Sequence, residues 1–115
     1  MTHYMKLRED PFKRIESGAK TLELRLYDEK RRAVKPGDFI EFSLESDSSR
    51  KVKVKVKALH VFKNFKELFS HVDPAALGHA GGETTPEDCT SMDAYYSAEQ
   101  QSRYGAVGIE IEKAV

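Results

Sequence analysis

Lys51-Val52-Lys53-Val54-Lys55-Val56-Lys57 alternates charged and apolar side chains without exception. Successive side chains of a β-strand point to opposite faces, so this pattern predicts a strand with its valines in a core and its lysines in water. We expect the strand to follow a polar loop, Glu45 to Arg50, and to continue through Ala58 to Phe62 with a bulge or bend. Such a strand is typical of an antiparallel sheet with one solvated face.

Three other segments predict strands that can pair with this one. Leu22 to Leu26 alternates leucine with charge, Phe39 to Leu44 is mostly apolar, and Tyr104 to Glu112 places its apolar side chains on one face. The turn residues Lys35-Pro36-Gly37-Asp38 come directly before the second of them. The sequence therefore predicts at least four strands.

Between the strands, capping residues and apolar side chains at helical spacing predict short helices. These are Pro11 to Ser17 with Asp10 as its cap, Asn64 to Val72, a turn around Pro74 to Leu77, and Thr85 to about Gln100 after a Gly-rich loop. The charged run Tyr27 to Arg32 is assigned to a connection. Strands with helices inserted between them, and no βαβ rhythm, predict an α+β fold with a small mixed or antiparallel barrel.

The chain has 115 residues, enough for one hydrophobic core, and we expect a single domain over residues 1–115. It carries 19 basic and 19 acidic residues, so its formal net charge is zero. No global field therefore draws it to nucleic acid or to a membrane. A polyanionic partner would have to meet a local basic patch.

Several classes of protein are disfavoured by composition. Apolar runs are short and the first residues lack a signal-peptide pattern, so we expect no membrane span and a cytoplasmic protein. Cys89 is the only cysteine, which excludes an internal disulfide and a thiolate-rich zinc site. None of the four histidines is spaced from another ligand as a helical zinc site requires. We therefore expect neither a metal ion nor another cofactor.

The candidate site is the motif Gly18-Ala19-Lys20-Thr21-Leu22-Glu23-Leu24-Arg25. If its leucines share one face of a strand, Thr21, Glu23 and Arg25 share the other. Lys20 then offers a point charge for phosphate, and Arg25 offers a planar fork for phosphate or a base edge. The alternative is structural, because the three charged side chains could instead form a buried ion network that fixes strand register.

Four segments together resemble the ASCH domain family, small barrel-like domains related to the PUA fold. They are Gly18-x-Lys20-Thr21-x-Glu23-x-Arg25 after a helix, Lys35-Pro36-Gly37-Asp38 before a strand, Gly82-Glu83 before a helix with Tyr95-Tyr96, and the closing segment Tyr104 to Ile111. The resemblance covers nearly the whole chain. It implies a β-barrel with a cleft beside the Gly-x-Lys motif that binds RNA or a nucleotide-like ligand.

The resemblance also implies an enzymatic alternative, since some members of the family are ribonucleases or amidohydrolases acting on N4-acetylcytidine. Their catalytic lysine and glutamate correspond to Lys20 and Glu83, and Glu23 is a further catalytic candidate. Their nucleophilic threonine lies three positions after the lysine, where this chain has Glu23. Thr21 does not replace that hydroxyl, because it lies on a different part of the strand.

We therefore predict that RNA or a nucleotide binds a cleft formed by Lys20, Thr21, Glu23, Arg25 and Glu83. Further candidate ligand-binding residues are basic or aromatic: Tyr27, Arg31, Arg32, Tyr96 and Tyr104. In a third interpretation the partner is a protein, and the basic turn Lys30 to Arg32 is the contact. The lysines of the Lys51 to Lys57 strand are interpreted as a solvated sheet face, since no aromatic residue lies between them.

Overall fold

The computed structural model describes residues 1–72, 76 and 96–114. In chain order the elements are β1 (Thr2–Leu7), α1 (Glu9–Glu16), β2 (Leu22–Leu26), α2 (Glu29–Arg32), β3 (Phe39–Leu44), β4 (Asp47–Phe62), α3 (Phe65–His71), α4 (Ala98–Tyr104) and β5 (Ala106–Lys113). The predicted helix at Pro74 to Leu77, the Gly-rich loop and most of the predicted helix from Thr85 lie outside the described residues. So do Glu83, Cys89 and Tyr95.

The five strands form one mixed sheet in the order β1-β3-β4-β5-β2, curled into a half-barrel. β1 pairs parallel with β3, whereas the other three pairings are antiparallel. The predicted α+β fold with a mixed sheet is confirmed. The strand that carries the motif, β2, lies at one edge of the sheet, and β1 lies at the other.

The alternating strand β4 is confirmed, with Val52, Val54 and Val56 buried and the lysines between them exposed. A shift of register between Val56 and Ala58 confirms the expected irregularity. The predicted loop from Glu45 to Arg50 was wrong in its extent, because β4 begins at Asp47. Backbone pairing of this segment with the end of β3 outweighs its polar composition.

Strand β1 was missed in the sequence. It directs His3, Met5 and Leu7 inward, and a histidine in the first inward position hides the apolar alternation. Buried His3 is satisfied by Asp38, whose Oδ2 lies 2.9 Å from His3 Nε2. The same Oδ2 accepts a hydrogen bond from the backbone N–H of Lys35, so Asp38 ties β1 to the turn before β3.

Two apolar cores lie against the sheet. The main core packs Phe12 and Ile15 of α1 onto the concave set of side chains from β1, β3, β4 and β5. The second, smaller core joins Leu26 and Ala106 of the β2–β5 pair to Phe65 and Leu68 of α3. Strand β5 is therefore covered by apolar side chains on both faces.

Three helix boundaries differ from the predictions. α1 begins at Glu9 with Arg8 at the cap position and no side-chain cap, so Asp10 lies inside the first turn, where its charge favours the helix dipole. The charged run forms the short helix α2, because the side chain of Asp28 accepts a hydrogen bond from the backbone N–H of Arg31. α4 begins after its cap Ser97 and continues past Gln100 to Tyr104.

Gly105 makes the sharp transition from α4 to β5. Its φ of 78° and ψ of −176° lie in a region that only glycine adopts readily. A Cβ at this position would lie 2.7 Å from the carbonyl oxygen of Phe62 at the end of β4. The missing side chain therefore allows α4, β4 and β5 to meet.

We predict that Gly105→Ala destabilises the protein by about 3 kcal/mol, since it adds a backbone overlap to a strained conformation. Gly18→Ala is the matched control, because Gly18 has a similar φ of 84° but no described atom within 4 Å of the place that its Cβ would take. It should cost about 1 kcal/mol. Urea unfolding of both variants measures the difference, and equal costs would contradict the role of the contact with Phe62.

Candidate functional site

The polar face of β2 is turned toward the main core and not toward open water. Glu23 pairs with Ile109 of β5, and Arg25 pairs with Val107. Side chains of directly paired residues lie on the same face of a sheet, and Ile109 and Val107 belong to the main core. Leu24 and Leu26 take the other face and pack into the second core. The motif therefore places charged groups at the rim of the half-barrel interior.

Glu23 forms two ion pairs there, with Lys20 and with Arg25. Lys20 Nζ donates to Glu23 Oε1 at 2.9 Å, and Arg25 donates to Glu23 Oε2 from Nε at 3.0 Å and from Nη2 at 2.9 Å. The backbone N–H of Leu24 adds a 3.2 Å hydrogen bond to Oε1. Side-chain exposure is 3% for Glu23, 10% for Lys20 and 14% for Arg25. We call this arrangement the ion triad.

The ion triad joins the two edges of the sheet. Arg25 Nη2 donates to the backbone carbonyl of Lys6 at 2.9 Å, and Lys30 Nζ donates to the carbonyl of Tyr4 at 2.8 Å. Both acceptors lie on β1, whereas Arg25 lies on β2 and Lys30 on the helix that follows it. Side-chain donors thus pair with carbonyl groups of β1, an edge strand that no further strand covers in the described part of the chain. They link the two edges of the half-barrel along a line that we call the seam.

Burial of Glu23 opposes its ionisation, but the charges and hydrogen bonds of Lys20 and Arg25 outweigh that effect and hold its pKa below the ordinary value of 4.5. Glu23 is therefore an anion at neutral pH. Because one carboxylate faces two cations, the ion triad as a whole carries a net positive charge. This is the electrostatic character of the site.

A cleft of about 260 Å³ lies over the ion triad, and we call it the triad cleft. Its wall includes Lys20, Glu23, Leu24, Arg25 and Tyr96, together with Lys6, Leu7, Arg8, Pro11 and Glu45 from the opposite edge of the sheet. Four cationic side chains and two carboxylates therefore line it. The cleft is small, charged and positive on balance.

Positive charge also reaches the seam beside the cleft. Partial burial of Lys30 and the nearby cations Arg31 and Arg25 lower the pKa of Lys30 below its ordinary value of 10.5, against the opposing charge of Asp28. Burial is the larger cause of the lowered pKa, and the two neighbouring cations add to it. Lys30 therefore adds a further positive charge near Arg25.

The structure brings together Lys20, Glu23, Arg25 and Tyr96 from the predicted site. Tyr96 stacks on Phe65 with ring centroids 5.4 Å apart, which fixes its ring at the wall of the cleft. Thr21 is exposed and lies elsewhere, lining two other depressions. Glu83 lies outside the described residues.

The other predicted residues do not line the triad cleft. Arg32 donates to the carbonyls of Tyr27 and Tyr104 and lies 4.5 Å from the ring centroid of Tyr27. Arg31 pairs with Asp28 at 3.0 Å. Tyr104 packs against the second core and lines a separate hollow. These side chains support the chain around α2 and α4.

Pro11 of α1 was not anticipated as part of the site, and neither were four lining residues from the opposite side of the cleft, namely Lys6, Leu7, Arg8 and Glu45. These four residues come from the end of β1 and from the hairpin after β3. The β1–β3 pairing brings these two segments together on the side of the cleft opposite the motif, and this pairing is not visible in the sequence. Recognising the alternation of His3, Met5 and Leu7 as a strand would have indicated this edge.

Within residues 1–72, 76 and 96–114, no cluster of three histidine, cysteine or acidic side chains could hold a metal ion. Among the helices of the same ranges, none has the length and apolar character needed to cross a membrane.

The ion triad predicts a specific dependence of stability on pH. Glu23→Gln leaves two buried cations without their counter-ion and should cost about 3 to 5 kcal/mol at about pH 7. The folded-state pKa of Glu23 is depressed, so its contribution is complete above the ordinary pKa and is lost as pH falls through the folded value. The stability difference between wild type and variant should therefore shrink below about pH 4.5, as measured by urea unfolding across pH.

Glu9→Gln is the matched control, because Glu9 pairs with Lys13 at 3.1 Å while both side chains remain about 60% exposed. An exposed pair of this kind contributes less than about 1 kcal/mol. A Glu23→Gln effect as small as the control, or one that is constant from pH 7 to about pH 3, would contradict a buried ionised Glu23.

Comparison with known proteins agrees with this architecture. The crystal structure of the hypothetical protein PH0355 is 37% identical over 99% of this chain and 100% of that chain, with a TM-score of 0.82. The solution structure of protein PF0455 from Pyrococcus furiosus is 36% identical over 98% of this chain and 97% of that chain, with a TM-score of 0.68. No curated protein matches the chain.

A more distant likeness supports the fold alone. The crystal structure of ASCH from Zymomonas mobilis is 15% identical, with a TM-score of 0.62 over 97% of this chain and 69% of that chain. The family model of the ASCH domain matches residues 5–115, which confirms the resemblance drawn from the four sequence segments. The chain therefore belongs to the ASCH domain family and has its PUA-like fold.

Proposed function

We propose that this protein binds RNA, or a nucleotide, by placing a phosphate and its attached base in the triad cleft. The observation that carries the proposal is the ion triad, in which one buried carboxylate holds two cations at the floor of the cleft. Membership of the ASCH family makes a ligand of nucleic-acid type the natural candidate.

The two cations suit different parts of such a ligand. The hydrogen bonds of Lys20 Nζ to described residues end on Glu23, which leaves two further N–H donors of the ammonium for a phosphate oxygen. Among the described residues, the Nε and Nη2 atoms of Arg25 are occupied by Glu23 and Lys6, so Nη1 is the guanidinium nitrogen that remains for a ligand. Side chains that are already held in position lose less conformational entropy when a ligand binds, so less of the binding free energy is spent on ordering them.

The aromatic wall supports recognition of an unpaired base. Tyr96 lines the cleft, and its stacking on Phe65 holds the ring in one orientation. Proteins that bind single-stranded nucleic acid commonly stack bases on such rings, with about 1 to 3 kcal/mol for each base. Leu24 and Leu7 give the same cleft an apolar surface for the base.

The two alternatives from the sequence have weaker support. At the position corresponding to the threonine nucleophile of the amidohydrolases, Glu23 has both oxygens engaged in hydrogen bonds. The proposed partner of Lys20 in hydrolysis, Glu83, lies outside the described residues. The turn from Lys30 to Arg32, suggested as a protein contact, directs its cations to groups of this chain. Hydrolase and adaptor therefore stay predictions.

The test is binding of wild type and Lys20→Gln to ribonucleoside monophosphates and to a short mixed-sequence single-stranded RNA. Glutamine removes the charge and keeps an N–H donor on a side chain that is one atom shorter. A charge-assisted hydrogen bond to phosphate is worth about 1.5 to 3 kcal/mol, so binding should weaken at least about tenfold. Fluorescence anisotropy follows the RNA, calorimetry follows the nucleotides, and circular dichroism verifies that the variant is folded at the temperature used.

Lys35→Gln is the control, because Lys35 is exposed and lies outside the triad cleft. Its binding should equal that of wild type. Unchanged binding in Lys20→Gln, or no binding by wild type, would refute the proposal. Chromatography of the same mixtures detects conversion of the nucleotide or RNA, and turnover that requires Lys20 would establish the hydrolase instead.

A further inference from the structure

A second concave surface lies outside the triad cleft, between the start of α3 and the end of α4. This hollow, which we call the α3–α4 hollow, has a volume of about 630 Å³, larger than the triad cleft at about 260 Å³. Lys63, Lys66 and Arg103 line it, with Ser102 and Tyr104. The sequence analysis predicted only Tyr104 as a ligand-binding residue, and the structure places it here.

The charge of the α3–α4 hollow is entirely positive among its described lining residues. Lys63, Lys66 and Arg103 are exposed cations, and no described carboxylate lines the same surface. The Arg103 guanidinium carbon lies 5.3 Å from the centroid of the Tyr104 ring, a cation–π distance that orients the planar fork. Hydroxyl and amide groups of Ser102 and Asn64 add neutral hydrogen-bonding groups.

The walls of the hollow are held together by contacts beneath it. The side chain of Gln101, which is buried, accepts a hydrogen bond from the backbone N–H of Phe65 at 3.2 Å and donates to the carbonyl of Tyr96 at 3.0 Å. Gly105 brings the end of α4 against the carbonyl of Phe62. The three cations therefore extend from a rigid base. Tyr96 connects that base to the wall of the triad cleft.

The lysines of β4 provide a contrast. Lys53 pairs with Glu41 across β3 and β4, and Lys55 pairs with Glu112 across β4 and β5. Lys53 also lies over the ring of Phe39, with Nζ 4.9 Å from its centroid. That face of the sheet points away from the core and carries both signs of charge, as expected of a solvated sheet surface. The α3–α4 hollow differs because it is concave and because its described lining residues include cations but no carboxylate.

We infer that the α3–α4 hollow binds the phosphodiester backbone of single-stranded RNA whose nucleotide occupies the triad cleft. This inference rests on the proposed function and extends it from one nucleotide to a chain. Lysine and arginine on a concave surface contact consecutive phosphates without base specificity. Tyr104 beside Arg103 supplies a partly exposed ring edge near the same surface. The hollow therefore contributes affinity and salt dependence, whereas the triad cleft contributes selection of the nucleotide.

The experiment compares two variants that remove the same charge from different surfaces. Lys63→Gln/Lys66→Gln/Arg103→Gln removes three cations from the hollow, and Lys51→Gln/Lys53→Gln/Lys55→Gln removes three from the sheet face. Binding of a mixed-sequence single-stranded RNA is measured by anisotropy between about 50 and 200 mM salt. Binding of ribonucleoside monophosphates is measured in parallel, and thermal unfolding establishes that both variants are folded.

We expect the hollow variant to bind RNA at least about tenfold more weakly, with the slope of log affinity against log salt reduced by about 2, since each single-strand phosphate contact contributes about 0.7. Its affinity for monophosphates should equal that of wild type, and the sheet variant should bind RNA nearly as wild type does. Equal losses in the two variants would refute the inference, because bulk charge would then explain binding.

The inference and the proposed function fail in different ways. Unchanged RNA binding in the hollow variant, with Lys20→Gln still impaired, overturns the inference alone. RNA binding that requires the hollow but not Lys20 supports the basic surface and overturns the role of the triad cleft. Absence of binding to both RNA and monophosphates by wild type overturns both.

Discussion

The ionised carboxylate of Glu23 is the group on which the arrangement of the site depends. It lies at the rim of the half-barrel, 3% exposed, and holds Lys20 on one oxygen and Arg25 on the other. Arg25 then reaches across the seam to the carbonyl of Lys6 on β1. One buried anion therefore fixes two cations, joins the two edge strands and forms the floor of the triad cleft. Without it, two desolvated cations would repel one another at the same place.

Stability alone does not account for burying such a group. Desolvation of a charge costs several kcal/mol, and a buried ion pair is often no more stable than apolar residues of similar volume. The ion triad instead gives a positive surface of defined geometry in a protein whose net charge is zero. In the proposed function, local positive charge in the triad cleft and in the α3–α4 hollow supplies the attraction for a polyanion that the overall composition does not.

Much of the fold follows from local patterns in the sequence. The alternation in β4 and the apolar faces of β3 and β5 were sufficient to predict those strands. In each strand, the side chains that face the core are apolar, and this pattern is visible in a short stretch of sequence. β1 escaped prediction because its first inward residue, His3, is polar and is satisfied only by Asp38, far away along the chain. Its parallel pairing with β3 is likewise a nonlocal contact that no short pattern specifies.

The site was predictable in its residue types and less so in its geometry. Alternation correctly separated Glu23 and Arg25 from the leucines of β2, and the buried ion network was one of the two arrangements considered. The pattern did not indicate the second core. This core covers the leucine face of β2, so the charged face of β2 is directed toward the half-barrel interior. The placement of Thr21, Arg31 and Arg32 outside the triad cleft depends on such tertiary contacts as well.

The most direct measurement is the affinity of Glu23→Gln for a single-stranded RNA, relative to wild type, at a temperature where both are folded. Removal of a negative charge from a cleft proposed to bind an anion should strengthen binding if Glu23 acts only through its charge. If Glu23 instead positions the two cations, we expect the opposite, a weakening of about tenfold, because Lys20 and Arg25 lose the group that holds them in place. Binding by Glu23→Gln that equals or exceeds that of wild type would contradict this positioning role.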